Sequence, residues 1–165
     1  MTSPSSFVLK DFSLQCGVVL PEAEIIYQTY GELNSERNNV VLYPTSYGAQ
    51  HSDVEWRVIM PNMSGNGLST SPSNCELAKK PGFYFTHYDN VRAQAALLDS
   101  LGIEQLALVY GWSMGAQQGY HWGALYPERV QRIAALCGTA ISTDHIRVFL
   151  YSLRAALQGD PALTG

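Results

Sequence analysis

The sequence predicts an α/β fold with a mostly parallel sheet, and three observations predict it. Short apolar runs alternate with stretches of helical periodicity, the pattern of strand-helix-strand units. Of the 165 residues only 15% are charged while 46% are hydrophobic, which suits a sheet covered on both faces better than one with a wet side. Two longer strand-like runs at the start, separated by Gly17 and Pro21, add an antiparallel pair. The length is that of one domain with a real core, and the composition excludes disorder.

Each element follows from its own residues. Val8 to Leu14 and Glu22 to Tyr30 form the antiparallel pair, and Gly31 to Asn39 is a polar turn. Val40 to Tyr43, Val58 to Met60, Leu106 to Tyr110 and Ile133 to Leu136 are continuous apolar runs, read as buried parallel strands. Asn62 to Pro81, rich in Ser, Asn, Gly and Pro, reads as a long surface loop with little regular structure. A helix starts near Asp89, carries Val91, Ala95, Leu98 and Leu101 on one stripe and stops at Gly102. A second runs from Met114 to Tyr126, where Pro127 ends it. A third is capped by Thr143 or Asp144, places Ile146, Phe149, Leu150, Leu153 and Leu157 at helical spacing, and ends at Gly159 and Pro161.

Composition also narrows the function. Ten Lys and Arg against fourteen Asp and Glu give a net charge of −4, with no basic cluster to track a phosphate backbone, so nucleic acid is not an expected partner. No apolar run reaches the length of a membrane helix, and Met1 to Ser6 has neither a basic nor an apolar leader segment, so a cytoplasmic chain is expected. Cys16, Cys75 and Cys137 are widely spaced and expected to be buried, reduced thiols. Four scattered histidines lack carboxylates at ligand spacing, so no metal is expected. Gly65-Asn66-Gly67 fails as a dinucleotide motif because position 70 is Thr70 and no strand-to-helix turn is near. No bound cofactor is expected.

One short motif carries chemistry. Gly111-Trp112-Ser113-Met114-Gly115 matches G-x-S-x-G, and it stands between an apolar strand and a helix, the setting of a nucleophile elbow. The glycines Gly111 and Gly115 allow the sharp bend, because side chains there would strike neighbouring backbone, and Ser113 is thereby presented as a nucleophile. The N–H of Met114, at a helix start, is a donor to a developing oxyanion. The second donor in such sites comes from the loop after the third strand. Here that loop is Pro44-Thr45-Ser46-Tyr47-Gly48, and Ser46 is the candidate.

Further motifs join this one. Tyr30-Gly31-Glu32-Leu33-Asn34, the run from Pro61 to Ser69, Asp89-Asn90-Val91-Arg92-Ala93-Gln94 and the stretch from Gly111 to Val130 together resemble the homoserine O-acetyltransferase family of α/β-hydrolase-fold proteins, over roughly residues 12 to 140. The resemblance implies an eight-stranded sheet, a Ser-Asp-His triad, and an acetyl group carried from acetyl-CoA as co-substrate to a small hydroxyl acceptor through an acyl-serine at Ser113. It implies a place in methionine biosynthesis and, for full-length relatives, a dimer. Trp112 and Ala116 stand where the family more usually has glycine, and the stretch Thr45 to Arg57 is shorter than the family leads one to expect.

In this fold the triad order is Ser, then Asp or Glu, then His, and the resemblance places the acid and the histidine after the sixth strand. Only Thr139 to Gly165 follows it here. The chain is therefore read as residues 1–165 of a single, incomplete α/β-hydrolase domain, truncated after about strand six, with 142–165 a helix leading toward a lid. Among the histidines, His121 lies eight positions after Ser113 on one helix, a rise of about 12 Å that excludes it as base. His145, after the sixth strand, and His51, after the third, are the remaining base candidates, with His87 behind them. A serine ester hydrolase of the same fold, or a catalytically incomplete fragment, are the alternative readings.

Overall fold

A computed structural model describes residues 3–45 and 58–160. Its six strands are β1 (Ser5–Ser13), β2 (Val19–Tyr30), β3 (Val41–Leu42), β4 (Val58–Pro61), β5 (Leu108–Trp112) and β6 (Ile133–Leu136). Its three α-helices are α1 (His87–Ser100), α2 (Met114–Leu125) and α3 (Asp144–Gln158). The strands form one sheet in the order β1-β2-β4-β3-β5-β6. The β1–β2 and β2–β4 pairs are antiparallel, while β3 pairs in parallel with β4 and β5, and β5 with β6. The expected mostly parallel sheet with an antiparallel start is therefore the observed one.

The ends of the parallel strands matter most for the site. Although the β3 ladder holds only two residues, its hydrogen bonding runs on: Tyr43 N–H donates to the Ile59 carbonyl at 2.8 Å and Thr45 N–H to the Pro61 carbonyl at 3.3 Å. Leu106 pairs with Val130 as an isolated bridge before β5 begins. The apolar run starting at Leu106 is thus a strand interrupted at Ala107, whose N–H turns to the Val40 carbonyl at 2.9 Å.

Helix α1 begins earlier than its apolar stripe suggests. Thr86 is the N-cap, and Asp89 is the reciprocal partner three residues on, completing a capping box. The Asp89 carboxylate also accepts from the Gln15 N–H at 2.7 Å, which ties the β1–β2 turn to the helix. Val91, Ala95 and Leu98 face the core with Leu42, Val109 and Trp122, as the stripe predicts.

The stretch Asn62 to Pro81 departs from the expectation of a surface loop with little structure. Ser69, Thr70, Ser71 and Asn62 are buried, and residues 76–79 form a 3-10 turn. The chain here lies along β2 and imitates a strand. Thr70 N–H donates to the Glu24 carbonyl at 3.0 Å, Glu24 N–H donates to Thr70 Oγ1 at 2.6 Å, and Ile26 N–H to Ser69 Oγ at 3.0 Å. Small hydroxyl side chains supply the acceptors that a neighbouring backbone would otherwise have to present.

The cysteines also differ from expectation. Cys16 and Cys75 are half-buried and Cys137 is exposed, because Cys137 follows the edge strand β6, at a left-handed φ of 53°. Among the described residues no helix is long and apolar enough to cross a membrane.

Helix α3 has the expected N-cap, Thr143, whose hydroxyl accepts from the Ile146 N–H at 3.4 Å. None of its residues is buried, and Phe149, Leu150, Leu153 and Leu157 lie exposed. A chain ending at Ser142 is accordingly expected to unfold at the same urea concentration as the whole. Removing the buried Trp122 side chain by Trp122→Ala is expected to cost about 3–5 kcal/mol. A midpoint that falls on truncation would show α3 packed against the body.

Candidate active site

Ser113 sits where β5 hands over to α2, at φ 51° and ψ −115°. Such a left-handed conformation in a residue with a side chain costs on the order of 1–3 kcal/mol and persists only where its surroundings over-determine it. Here two backbone bonds fix it: Ser113 N–H donates to the Leu136 carbonyl at 2.9 Å, and the Ser113 carbonyl accepts from Gln117 N–H at 3.2 Å. The side chain is exposed, as the motif predicts, and among the described residues its hydroxyl has no hydrogen-bond partner.

The two motif glycines are explained by distances. A Cβ on Gly111 would lie 2.2 Å from the Gly115 carbonyl oxygen and 2.6 Å from the Ala116 nitrogen. On Gly115 it would lie 2.5 Å from the Pro44 carbonyl oxygen. The first turn of α2 is therefore pressed against β5 on one side and against the chain leaving β3 on the other. Gly138 adds a third such contact, since its Cβ would come 2.9 Å from the Ser113 carbonyl oxygen and 2.4 Å from Ala116 Cβ.

The same packing bears on the two candidate oxyanion donors. Met114 opens α2, so its N–H belongs to the first turn, which has no intrahelical acceptor. The contact between Gly115 and Pro44 brings the segment leading to Ser46 against the same turn. Ser46 itself lies outside the described residues, as does His51. Gln118 holds the approach: its Nε2 donates to the Thr45 carbonyl at 3.2 Å, while its Oε1 accepts from Gln94 Nε2 at 2.6 Å. Gln94 Oε1 in turn accepts from Trp122 Nε1 at 2.9 Å.

The other candidates fall into two places. His145 is exposed on the first turn of α3, where no described carboxylate orients its ring. His87 and His121 come together, at 5.7 Å between ring centroids. His87 Nε2 is 2.7 Å from Gln117 Oε1, and His121 Nδ1 is 3.0 Å from the Gln117 carbonyl. Both nitrogens must carry the proton, since both acceptors are carbonyl oxygens. His87 Nδ1 is buried with no partner among the described residues. Burial pushes the His87 pKa below its ordinary 6.5, against the bond to Gln117 and with the repulsion from His121.

Beside this pair lies a cavity of about 560 Å³, walled by Met63, Phe83, Phe85, His87, Met114 and His121 among others. The sequence pointed to Met114 but not to this cluster. The available signal was the spacing of Met114, Gln117 and His121 on one face of α2. Trp112, 46% exposed at the end of β5, does not line the cavity. Among the described residues no group of three or more His, Cys, Asp or Glu could hold a metal.

Two outcomes follow from this geometry. Gly115→Ala is expected to destabilise the fold by about 1–3 kcal/mol and to displace Ser113, read by urea unfolding and by loss of fluorophosphonate labelling at that residue. Because the folded pKa of His87 is lowered, the unfolded chain binds more protons between that value and 6.5, so stability is held above 6.5 and falls as the pH drops through the lowered pKa. His87→Gln is expected to lose less stability than the wild type between pH 7.5 and about 5.5 in paired urea titrations. Equal losses would exclude the role of His87.

Comparison with known proteins agrees with the fold. The family model for the alpha/beta hydrolase fold matches residues 38–161. The chain is 40% identical over 167 residues to an ethyl acetate hydrolase of Pseudomonas veronii, covering 90% of this chain and 48% of that protein. It is 35% identical to a homoserine O-acetyltransferase of Bradyrhizobium diazoefficiens, covering 96% of this chain and 48% of that protein. That alignment runs over 195 positions, more than this chain has residues, so the relative carries extra residues within the matched stretch. The acetyl esterase MekB superposes with a TM-score of 0.90 at 35% identity, over 99% of this chain and 52% of that one. The chain thus spans about half the length of the relatives it matches. With the sheet and the family match in agreement, the chain belongs to the alpha/beta hydrolase fold family, similar both to acetyl esterases and to homoserine acyltransferases.

Proposed function

We propose that this chain carries the nucleophile and the oxyanion donor of a serine acyl-transfer site that hydrolyses short-chain acyl esters. The observation that carries the reading is Ser113, held at positive φ at the junction of β5 and α2, exposed and next to the first-turn N–H of Met114. Ser113 Oγ attacks the ester carbonyl and loses its proton to a base. The oxyanion that forms accepts from Met114 N–H, and its collapse expels the alcohol and leaves an acyl-serine. Water then releases the acid. The likeness to an ethyl acetate hydrolase and an acetyl esterase supports water as acceptor and acetate as the acyl group.

A second reading keeps the same acyl-serine but takes the acetyl group from acetyl-CoA and passes it to homoserine, supported by the homoserine O-acetyltransferase relative. Neither His87 nor His121 suits the role of base: His87 has Nε2 on Gln117 and Nδ1 buried, and His121 lies eight residues beyond Ser113 on α2, a rise of about 12 Å. His145 and His51 are the histidines to test for it, alongside a base in a polypeptide outside these residues.

p-Nitrophenolate leaves a tetrahedral intermediate without needing a proton, whereas deacylation needs a base to activate water, so with a p-nitrophenyl ester the acyl-serine accumulates. Mixing with p-nitrophenyl acetate is expected to release about one equivalent of p-nitrophenol per chain in a burst, the mark of an accumulating acyl-enzyme. Mass spectrometry of the acid-quenched protein is expected to find the acetyl group on Ser113, and Ser113→Ala to lack both signals. No acetyl-Ser113 would overturn the reading. Acetyl-CoA with homoserine decides the second: O-acetylhomoserine establishes transfer, and free acetate alone removes it.

A further inference from the structure

The cavity beside Met114 is not accounted for by the chemistry at Ser113, and resting on the reading of Ser113 as nucleophile we propose that it receives the part of the substrate remote from the reacting carbonyl, an uncharged aromatic or similarly bulky apolar group. Three observations lead there. The first is place: the cavity is walled by Met114, the residue whose N–H faces the developing oxyanion, and by residues of the segment that follows β4. In open α/β sheets, ligands bind at the carboxyl ends of the strands. The chain after β4, the start of α1 and the start of α2 all lie at that end.

The second is size. About 560 Å³ falls within the range of roughly 300–1,000 Å³ that accommodates whole small molecules. An acetyl group or an ethanol leaving group would leave most of it unfilled. The third is chemistry. Phe83 and Phe85 stand edge-to-face at 5.0 Å between centroids, an arrangement that offers ring faces and edges to a further ring. Among the described residues no Asp, Glu, Lys or Arg lines the cavity. Its two imidazoles each turn one ring nitrogen to Gln117. A zwitterionic amino acid such as homoserine would lose its hydration there with no described carboxylate, lysine or arginine on the walls to meet it, which is costly. A neutral ring would not.

The pocket can be tested apart from the nucleophile. In the Ser113→Ala chain, 2-phenylethyl acetate is expected to bind by saturation-transfer NMR, with transfer strongest at the ring protons. Homoserine is expected not to displace it. Ser64→Trp, which fills the cavity, and Phe85→Ala, which removes a wall, should each weaken that binding about tenfold or more, with folding verified by circular dichroism. In the chain with Ser113 intact, a fluorophosphonate bearing a phenylethyl group is expected to label Ser113 at least tenfold faster than its ethyl analogue, and the ratio to fall toward one in either variant. Equal rates for the two probes overturn the pocket and leave the nucleophile standing. If neither probe reacts, the nucleophile reading falls, and the NMR result alone decides the pocket: no binding, or displacement by homoserine, overturns it.

Discussion

The contact on which the rest depends is backbone against backbone. Where the first turn of α2 meets β5, the Gly115 carbonyl lies so near Gly111 that a single added methyl carbon would sit 2.2 Å from it. Nothing but glycine fits. That approach bends the chain sharply enough to push Ser113 to φ 51°, and it seats Gly115 against Pro44. The exposure of Ser113, the place of the Met114 N–H in the first turn of α2 and the course of the chain after β3 are thus three results of one close packing. Strain at Ser113 is offset locally, by the bond to Leu136 on β6 and by the bond back from Gln117.

A second layer keeps that packing in register. Gln94 on α1, Gln118 and Trp122 on α2 and the Thr45 carbonyl are joined in a chain of buried hydrogen bonds. Thr45 Oγ1 continues the chain by accepting from Met63 N–H at 3.1 Å. Each member would be costly if left unpaired in the core, so the network admits one relative placement of both helices, the end of β3 and the segment after β4. Asn90 does the same nearer the cavity, accepting from Ser64 N–H at 2.7 Å and donating to the Thr86 carbonyl at 3.1 Å. The cavity walls are therefore held by polar bonds, while the surface they enclose is largely apolar.

What could be read from the sequence follows the range of the interaction. Periodicity is local, so the sheet's strands and the three helices were legible, and Ile133 to Leu136 coincides with β6 residue for residue. The elbow was legible because five consecutive residues carry it between a strand and a helix. The segment from Asn62 to Pro81 was not, because its order comes from hydroxyls reaching β2 some 46 residues away in the chain. Composition that usually marks a mobile loop here supplies acceptors. Asp89 was legible as a helix start, but its role as the third residue of a capping box depends on Thr86, which the apolar stripe does not include. The His87–Gln117–His121 cluster escaped because it joins two helices 30 residues apart, and Cys137 escaped because its exposure depends on what lies beyond β6.

The order of functions along the chain explains why half a domain holds so well-formed a site. An elbow is set by contacts among β5, α2, the end of β3 and the residues after β6, all of which lie within these residues. An acid and a base, by contrast, are borne in this fold by the later elements, and none of the contacts that set the elbow's backbone involves such a group. The nucleophile can thus be preorganised independently of the groups that activate it. The same division appears in the packing: the sheet is closed around α1 and α2, with Trp122 and Leu98 fully enclosed, whereas β6 pairs on one side only and α3 lays Phe149, Leu150 and Leu157 open. Stability and the geometry of the nucleophile reside in the first group of elements.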